Sequence, residues 1–178
     1  MADYEKLISL SKVYGFTEAA PLDVSTLEFL PEVLDMCVSC PGYGKFWPCP
    51  PGCGSLEEMR RRVEAYSRGL LVQTVGQLED SYDWENMQKT AMLYGESFQK
   101  LWDTLRPDYA GLLAMGAGSC GICKECTYPE DKPCRFPERQ IVSMSSCGLQ
   151  VSRVCSDNHL KYYYGPNTIS YTGCFLLE

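Results

Sequence analysis

The sequence predicts an α/β (α+β) fold, a mixed β-sheet with packed helices in a single domain over residues 1–178, carrying cysteine-rich loops at 37–54 and 118–136. Three observations point there. Short apolar β-type runs stand at Leu70–Val75 and Tyr109–Met115, a long amphipathic stretch separates them, and the chain closes on a segment dense in Tyr, Thr and Ile. A chain of 178 residues suits one hydrophobic core better than two.

Taken in order, Asp3 to Val13 carries Tyr4, Leu7, Ile8 and Leu10 at helical spacing, with Gly15 as a stop. Phe16 to Phe29, interrupted by Pro21, reads as extended chain with an edge strand, delivering the backbone to Cys37. Residues 37–54 hold four cysteines, four prolines and four glycines, a composition that leaves no regular element but makes a rigid loop. Ser55 with Glu58 forms a capping box for the next helix, whose buried stripe is Met59, Val63 and Tyr66. After Gly69 comes the first apolar strand, of the kind buried on both faces.

Ser81 to Leu105 is the best helix, with Trp84, Met87, Ala91, Tyr94, Phe98, Leu101, Trp102 and Leu105 on one face and Pro107 beyond its end. The strand at Tyr109–Met115 then runs into Gly116-Ala117-Gly118 and the second cysteine loop. The two strands are expected as a parallel pair joined by a right-handed crossover. A further helix is expected from Pro137 to about Asp157, burying Ile141, Met144, Leu149 and Val151. Leu160–Tyr164, Gly165-Pro166-Asn167 and Thr168–Leu177 read as a terminal hairpin.

Composition excludes several classes. A net charge of -7, with Arg60-Arg61-Arg62 the one basic run, argues against nucleic acid as partner. No run approaches the ~18 apolar residues of a membrane span, and the N-terminus lacks the basic and apolar regions of a signal peptide, so a cytoplasmic protein is expected. No phosphate-binding glycine loop, nucleophile elbow or zincin pattern is present. Eleven cysteines against one histidine, His159, make any metal site sulfur-dominated, which selects zinc or iron–sulfur clusters.

The sharpest pattern is Cys120-x2-Cys123-x2-Cys126-x7-Cys134. Zinc usually takes separate Cys-x2-Cys hooks, whereas successive x2 steps with a later fourth cysteine let one loop wrap a cubane cluster. Lys124, Lys132 and Arg135 lie close enough in sequence to offset its negative charge. The second pattern, Cys37-x2-Cys40-x8-Cys49-x3-Cys53, suits iron–sulfur or zinc equally, with Tyr43, Phe46 and Trp47 available to exclude water. Cys147, Cys155 and Cys174 lack ligand spacing and read as small buried hydrophobes.

On these residues the chain resembles the DUF2284 family of predicted cysteine-rich metal-binding proteins. The resemblance is carried by Cys37-x2-Cys40, Tyr43-Gly44-Lys45, Cys49-Pro50-Pro51, Leu78-Glu79-Asp80-Ser81, the Cys120/Cys123/Cys126 group and Cys134-Arg135-Phe136-Pro137. It implies metal binding in an anaerobic setting. It also implies that the position of Cys53 is commonly not cysteine, which would leave Cys37, Cys40 and Cys49 holding a cluster with one iron open.

The functional expectation is a protein with two [4Fe-4S] clusters, on Cys120, Cys123, Cys126 and Cys134 and on Cys37, Cys40, Cys49 and Cys53. It would serve in electron transfer or as a redox accessory component with a partner protein. The alternatives are a zinc-stabilised protein-binding module and an enzyme using an open iron at the 37–53 site.

Overall fold

The computed structural model describes residues 3–178; Met1 and Ala2, which open the expected domain, lie outside the described residues. Helix α1 (Tyr4–Val13) is started by Asp3, whose carboxylate accepts the Lys6 N–H at 3.1 Å. Strand β1 (Glu18–Asp23) is the expected edge strand. Helix α2 (Pro31–Cys37) was not expected. Pro31 at its first turn, with Glu32 beside it, is a sufficient start signal, so Cys37 ends a helix rather than opening the loop.

Helix α3 (Leu56–Glu64) has the expected capping box: Ser55 Oγ accepts the Glu58 N–H at 3.3 Å, and the Glu58 carboxylate accepts the Ser55 N–H at 2.7 Å. Arg60 on this helix pairs with Glu64 at 2.8 Å on an exposed face. Strand β2 (Arg68–Gln77) follows, then helix α4 (Trp84–Leu105). This helix starts three residues after Ser81 because Asp83 caps it, accepting the Asn86 N–H at 3.1 Å. Its buried face holds Tyr94, Phe98, Leu101, Trp102 and Leu105, while Trp84 stands exposed.

The remaining elements are β3 (Leu113–Gly116), β4 (Val142–Ser143), α5 (Val151–Asp157) and β5 (Thr168–Leu177), in a five-stranded mixed sheet of order β1-β2-β5-β3-β4. Here the expected topology needs correcting. Strands β2 and β3 run parallel but are not neighbours: β5 lies between them, antiparallel to both. The hydrogen-bonded parallel pair is β3 with β4. The terminal hairpin does not form, because both edges of β5 are taken by β2 and β3, leaving Leu160–Tyr164 outside the sheet.

The helix expected from Pro137 to Asp157 is likewise broken. A 3-10 turn at Pro137–Arg139, strand β4 and a second 3-10 turn at Ser145–Cys147 precede α5. Gly148 interrupts it at φ 74°, where its carbonyl accepts the Leu30 N–H at 2.8 Å. Ile141 and Val142 are buried in different clusters, the alternation of a strand rather than the stripe of a helix.

Both faces of the sheet are covered. Leu70, Val72, Phe175 and Leu177 pack with α1 and α4, while Leu71, Cys174, Leu176 and Met115 pack with Met59, Val63 and Val154 of α3 and α5. Gly173 of β5 admits the α4 aromatics: a Cβ there would stand 2.7 Å from the Met115 carbonyl oxygen and 2.8 Å from Phe98, and closer still to the Tyr94 hydroxyl.

Neither the backbone oxygen nor the buried rings can yield to that methyl. Gly173→Ala is therefore expected to destabilise the protein by about 1–3 kcal/mol, read as a lowered midpoint in denaturant unfolding. An unchanged midpoint would show that the α4–β5 packing has slack the structure does not display.

Candidate metal centre

Strands β3 and β4 end together at Gly116 and Ser143, and the chain beyond these carboxyl ends builds the site. Loop 118–136 leaves from β3, and the Ser145–Cys147 turn leaves from β4. The root of the first loop is tied to α4, since the Ala117 N–H donates to the Tyr94 hydroxyl at 3.1 Å.

A cavity of about 220 Å³ lies here. Cys37 from the end of α2, Cys40 and Cys49 line it together with Ser119, Ser143, Ser145 and Ser146. Cys40 is exposed and Cys49 buried, so the cavity runs from surface to interior. Cys53 is not among its lining residues. Its amide donates to the Cys49 carbonyl at 3.0 Å, and its thiol turns toward the carbonyls of Gly54, at 3.7 Å, and Ser146, at 4.0 Å. The side chain packs against the α3/α5 core cluster.

A second, smaller hollow of about 20 Å³ is lined by Cys120, Cys123, Cys126 and Cys134, with Trp47, Ile122 and Phe136. Seating a multi-atom group there requires the thiols to turn toward it or the loop to spread, movements that a segment whose regular structure is a single 3-10 turn at Tyr128–Glu130 permits.

The two loops interlock. The Trp47 indole N–H donates to the Lys132 carbonyl at 3.0 Å and reaches Thr127 Oγ1 at 3.3 Å, while its ring meets Tyr128 edge-on at 4.9 Å. The Thr127 hydroxyl donates to the Pro133 carbonyl at 3.0 Å, and Arg135 donates to the Glu125 carbonyl at 2.7 Å, cross-linking the second loop. The cavities share one wall: Pro48 faces the second and Cys49 the first, and Cys120 faces the second and Ser119 the first. The Cys49 thiol donates to Ser119 Oγ at 3.9 Å across that wall, and Gly42 has no room for a Cβ, which would stand 2.5 Å from the same hydroxyl oxygen.

Burial pushes the thiols of Cys37 and Cys49 above their usual range, Cys49 despite its bond to Ser119, and pushes Cys53 up to about 11. Of the cations noted in the sequence, Lys132 is committed to Glu130 at 2.6 Å and Arg135 to the loop backbone. Cys147, Cys155 and Cys174 are fully buried in the core, with Cys147 against the Met115 sulfur at 3.6 Å. His159 lies past the end of α5 in the left-handed region, at φ 59°. The serines were not singled out from sequence; their positions after β3 and β4 become informative only once those strands are paired.

The donor set of both cavities is thiol, with walls of aromatic, aliphatic and hydroxyl groups, which fits a thiophilic metal. Among the described residues, no group of three or more His, Cys, Asp or Glu side chains is arranged to hold a metal ion. The chain matches a family model described as "Predicted metal-binding protein (DUF2284)" over residues 20–177. No curated protein and no solved structure matches it.

Replacing Trp47 by Phe keeps the ring against Tyr128 but removes the indole donor. It is expected to cost about 1 kcal/mol and to increase limited proteolysis in residues 118–136; unchanged cleavage would show that the indole does not hold the second loop.

A metal bound at the first cavity would displace protons from thiols whose affinity for them is raised by burial. Apparent metal affinity should therefore rise with pH and fall on acidification, by about tenfold per pH unit for each thiol proton displaced. Competition with a chromophoric chelator between pH 6 and 9 reads this; a pH-independent affinity at that cavity would exclude Cys37 and Cys49 as ligands.

Proposed function

The chain belongs to the DUF2284 family of predicted metal-binding proteins, and from that premise we propose that it is an iron–sulfur protein acting in electron transfer or as a redox accessory component. One centre is assigned to Cys120, Cys123, Cys126 and Cys134, and the other to the cysteines of the 37–54 loop. The observation that carries the proposal is the shared wall. Two thiol-lined cavities stand back to back, separated by Pro48–Cys49 from one loop and Ser119–Cys120 from the other.

The successive x2 spacings of Cys120, Cys123 and Cys126 support a cluster over a single ion. Tetrahedral zinc draws its sulfurs to within about 3.8 Å of one another. In this structure the four thiols of the second loop line a hollow of about 20 Å³. A bound iron–sulfur cluster supplies reversible one-electron chemistry, tuned by hydrogen bonds to sulfur and by exclusion of water. Trp47, Ile122 and Phe136 line the second cavity and provide that exclusion, while Ser119 bonds to the Cys49 sulfur at the first.

Electron exchange with a partner protein needs one centre near the surface. Exposed Cys40, with Met36 at 63% and Tyr43 at 39% exposure at the rim of the first cavity, provides the approach. The second centre also stands near the surface, where Phe136 on its lining is 43% exposed. A reducing cytoplasm of an anaerobic cell is the setting in which eleven unpaired thiols and such clusters persist together.

Protein purified without oxygen is expected to be brown and to carry about eight iron and eight acid-labile sulfide per chain, as two cubane clusters require. Cys126→Ala should roughly halve both numbers. Colourless protein holding zinc and no sulfide would overturn the iron–sulfur reading in favour of a zinc-stapled binding module.

A further inference from the structure

We propose that the loop between β2 and α4, with the turn before β5, is a docking surface for a basic segment of a partner protein, one in which arginine or lysine flanks an apolar side chain. The proposal does not depend on which metal the cysteines hold. Tyr82 on this loop is 89% exposed and Trp84, at its end, 67%. Tyr163, also exposed, lines one cavity with Ser81 of the loop.

The loop holds these rings in water on a fixed backbone. The Tyr82 N–H donates to the Asp80 carboxylate at 2.7 Å, and the Glu79 N–H donates to the carboxylate of Asp83, the residue that caps α4, at 2.8 Å. The Leu78 N–H donates to the Asn167 carbonyl at 2.8 Å, and the Asn167 side-chain amide donates to the Glu79 carbonyl at 3.1 Å, which ties the loop to the turn before β5. Rings presented this way lose little freedom on binding, and Trp and Tyr are the side chains that most often anchor an interface.

The character of the partner follows from the surroundings. A cavity of about 240 Å³ beside the loop has apolar walls from Leu78, Met87, Tyr163, Pro166 and Ile169, and no Lys, Arg, Asp or Glu lines it. It suits an apolar side chain or the aliphatic stem of a basic one. Residues 79–85 carry Glu79, Asp80, Asp83 and Glu85 and no Lys or Arg. Asp83 is taken up by the cap, whereas Glu79, Asp80 and Glu85 are exposed. Among the described residues, none of the four pairs with a Lys or Arg. A cation arriving there meets uncompensated carboxylates, and over Tyr82 or Trp84 it gains the attraction of a ring face. The net charge of -7 draws a basic partner from further away.

The surface lies at the end of the sheet that carries the cysteine loops. Gln77, the last residue of β2, stands opposite Thr168, and β3 runs the same way, with Met115 opposite Cys174, so the loops after both strands leave from one end.

The test is calorimetric titration of the full-length protein with a short amidated peptide alternating arginine and leucine. Binding is expected to the wild type, weakening about tenfold or more when salt is raised from 0.05 to 0.5 M, and to be absent for the same peptide with glutamate in place of arginine. Tyr82→Ala/Trp84→Ala should weaken it at least tenfold with the unfolding midpoint unchanged, since both rings are exposed. Glu79→Gln/Glu85→Gln should do the same, whereas Glu5→Gln/Glu57→Gln, which removes as much charge elsewhere, should leave it unaltered. No binding to the wild type, or equal loss in the two charge variants, overturns the proposal. So does a wild-type dimer in sedimentation that Tyr82→Ala/Trp84→Ala turns into a monomer, because a second copy of the chain would then cover the face.

Discussion

The last strand of the chain occupies the middle of the sheet, and the end of the molecule that carries the two cysteine loops depends on that placement. Strand β5 pairs with β2 through ten register positions and with β3 through three, so β3 is held to the larger part of the sheet only by the chain's final residues. β3 in turn launches the 118–136 loop, and β4, which hangs on β3 alone, launches the serine turn. Gly173 makes the arrangement possible. By leaving out a side chain it lets Tyr94 of α4 settle onto β5, and the same phenol then accepts the Ala117 N–H at the root of the loop. Burial raises the phenol's pKa, which keeps it a neutral hydroxyl able to take that bond.

Loops without secondary structure usually lose much of their binding energy to ordering. Here that ordering is met by contacts that do not involve a metal: the Trp47 indole on the Lys132 carbonyl, Thr127 on Pro133, Arg135 on Glu125 and the Gly42–Ser119 approach. Each of the three hydrogen bonds is worth on the order of 1 kcal/mol. Together they set the two loops in one register, although the hollow of about 20 Å³ in the second must still widen to seat a multi-atom group. The shared wall is a consequence of the same interlock, since residues adjacent in sequence, Pro48 and Cys49 or Ser119 and Cys120, serve opposite cavities.

Much of this was legible in the residues, and the failures share a cause. The capping box at Ser55, the α4 stripe from Tyr94 to Leu105 and the edge strand around Pro21 are local signals, and each appears where it was read. Grouping Cys120, Cys123, Cys126 and Cys134 from spacing agrees with their lining one hollow. Strand neighbours are not local. That β5 inserts between β2 and β3 is decided by which apolar edges remain unpaired, and no period in the sequence records it. The segment 137–157 misled because Ile141, Met144 and Leu149 fit a helical stripe and a strand–turn pattern alike, and Gly148 decides between them through a backbone bond to distant Leu30. α2 had a legible signal in Pro31 and Glu32; the strong loop composition after Cys37 obscured it.

Cysteine number says little about which thiols serve a metal; their environments divide them. Cys147 and Cys155 are sealed in the core with thiols pushed up to about 12 and about 11, and Cys174, on β5, is raised by the same burial. A ligand must release its proton and reach the metal, and these three do neither. Apart from buried Cys49, the cavity-lining thiols are partly or fully exposed to solvent, which eases the loss of their protons to a metal. Cys53 falls between the groups: it belongs to a loop by sequence, but its partly buried side chain packs against the core cluster. Turning that thiol into the cavity would require giving up this apolar contact, so spacing alone does not make Cys53 equivalent to Cys37, Cys40 and Cys49.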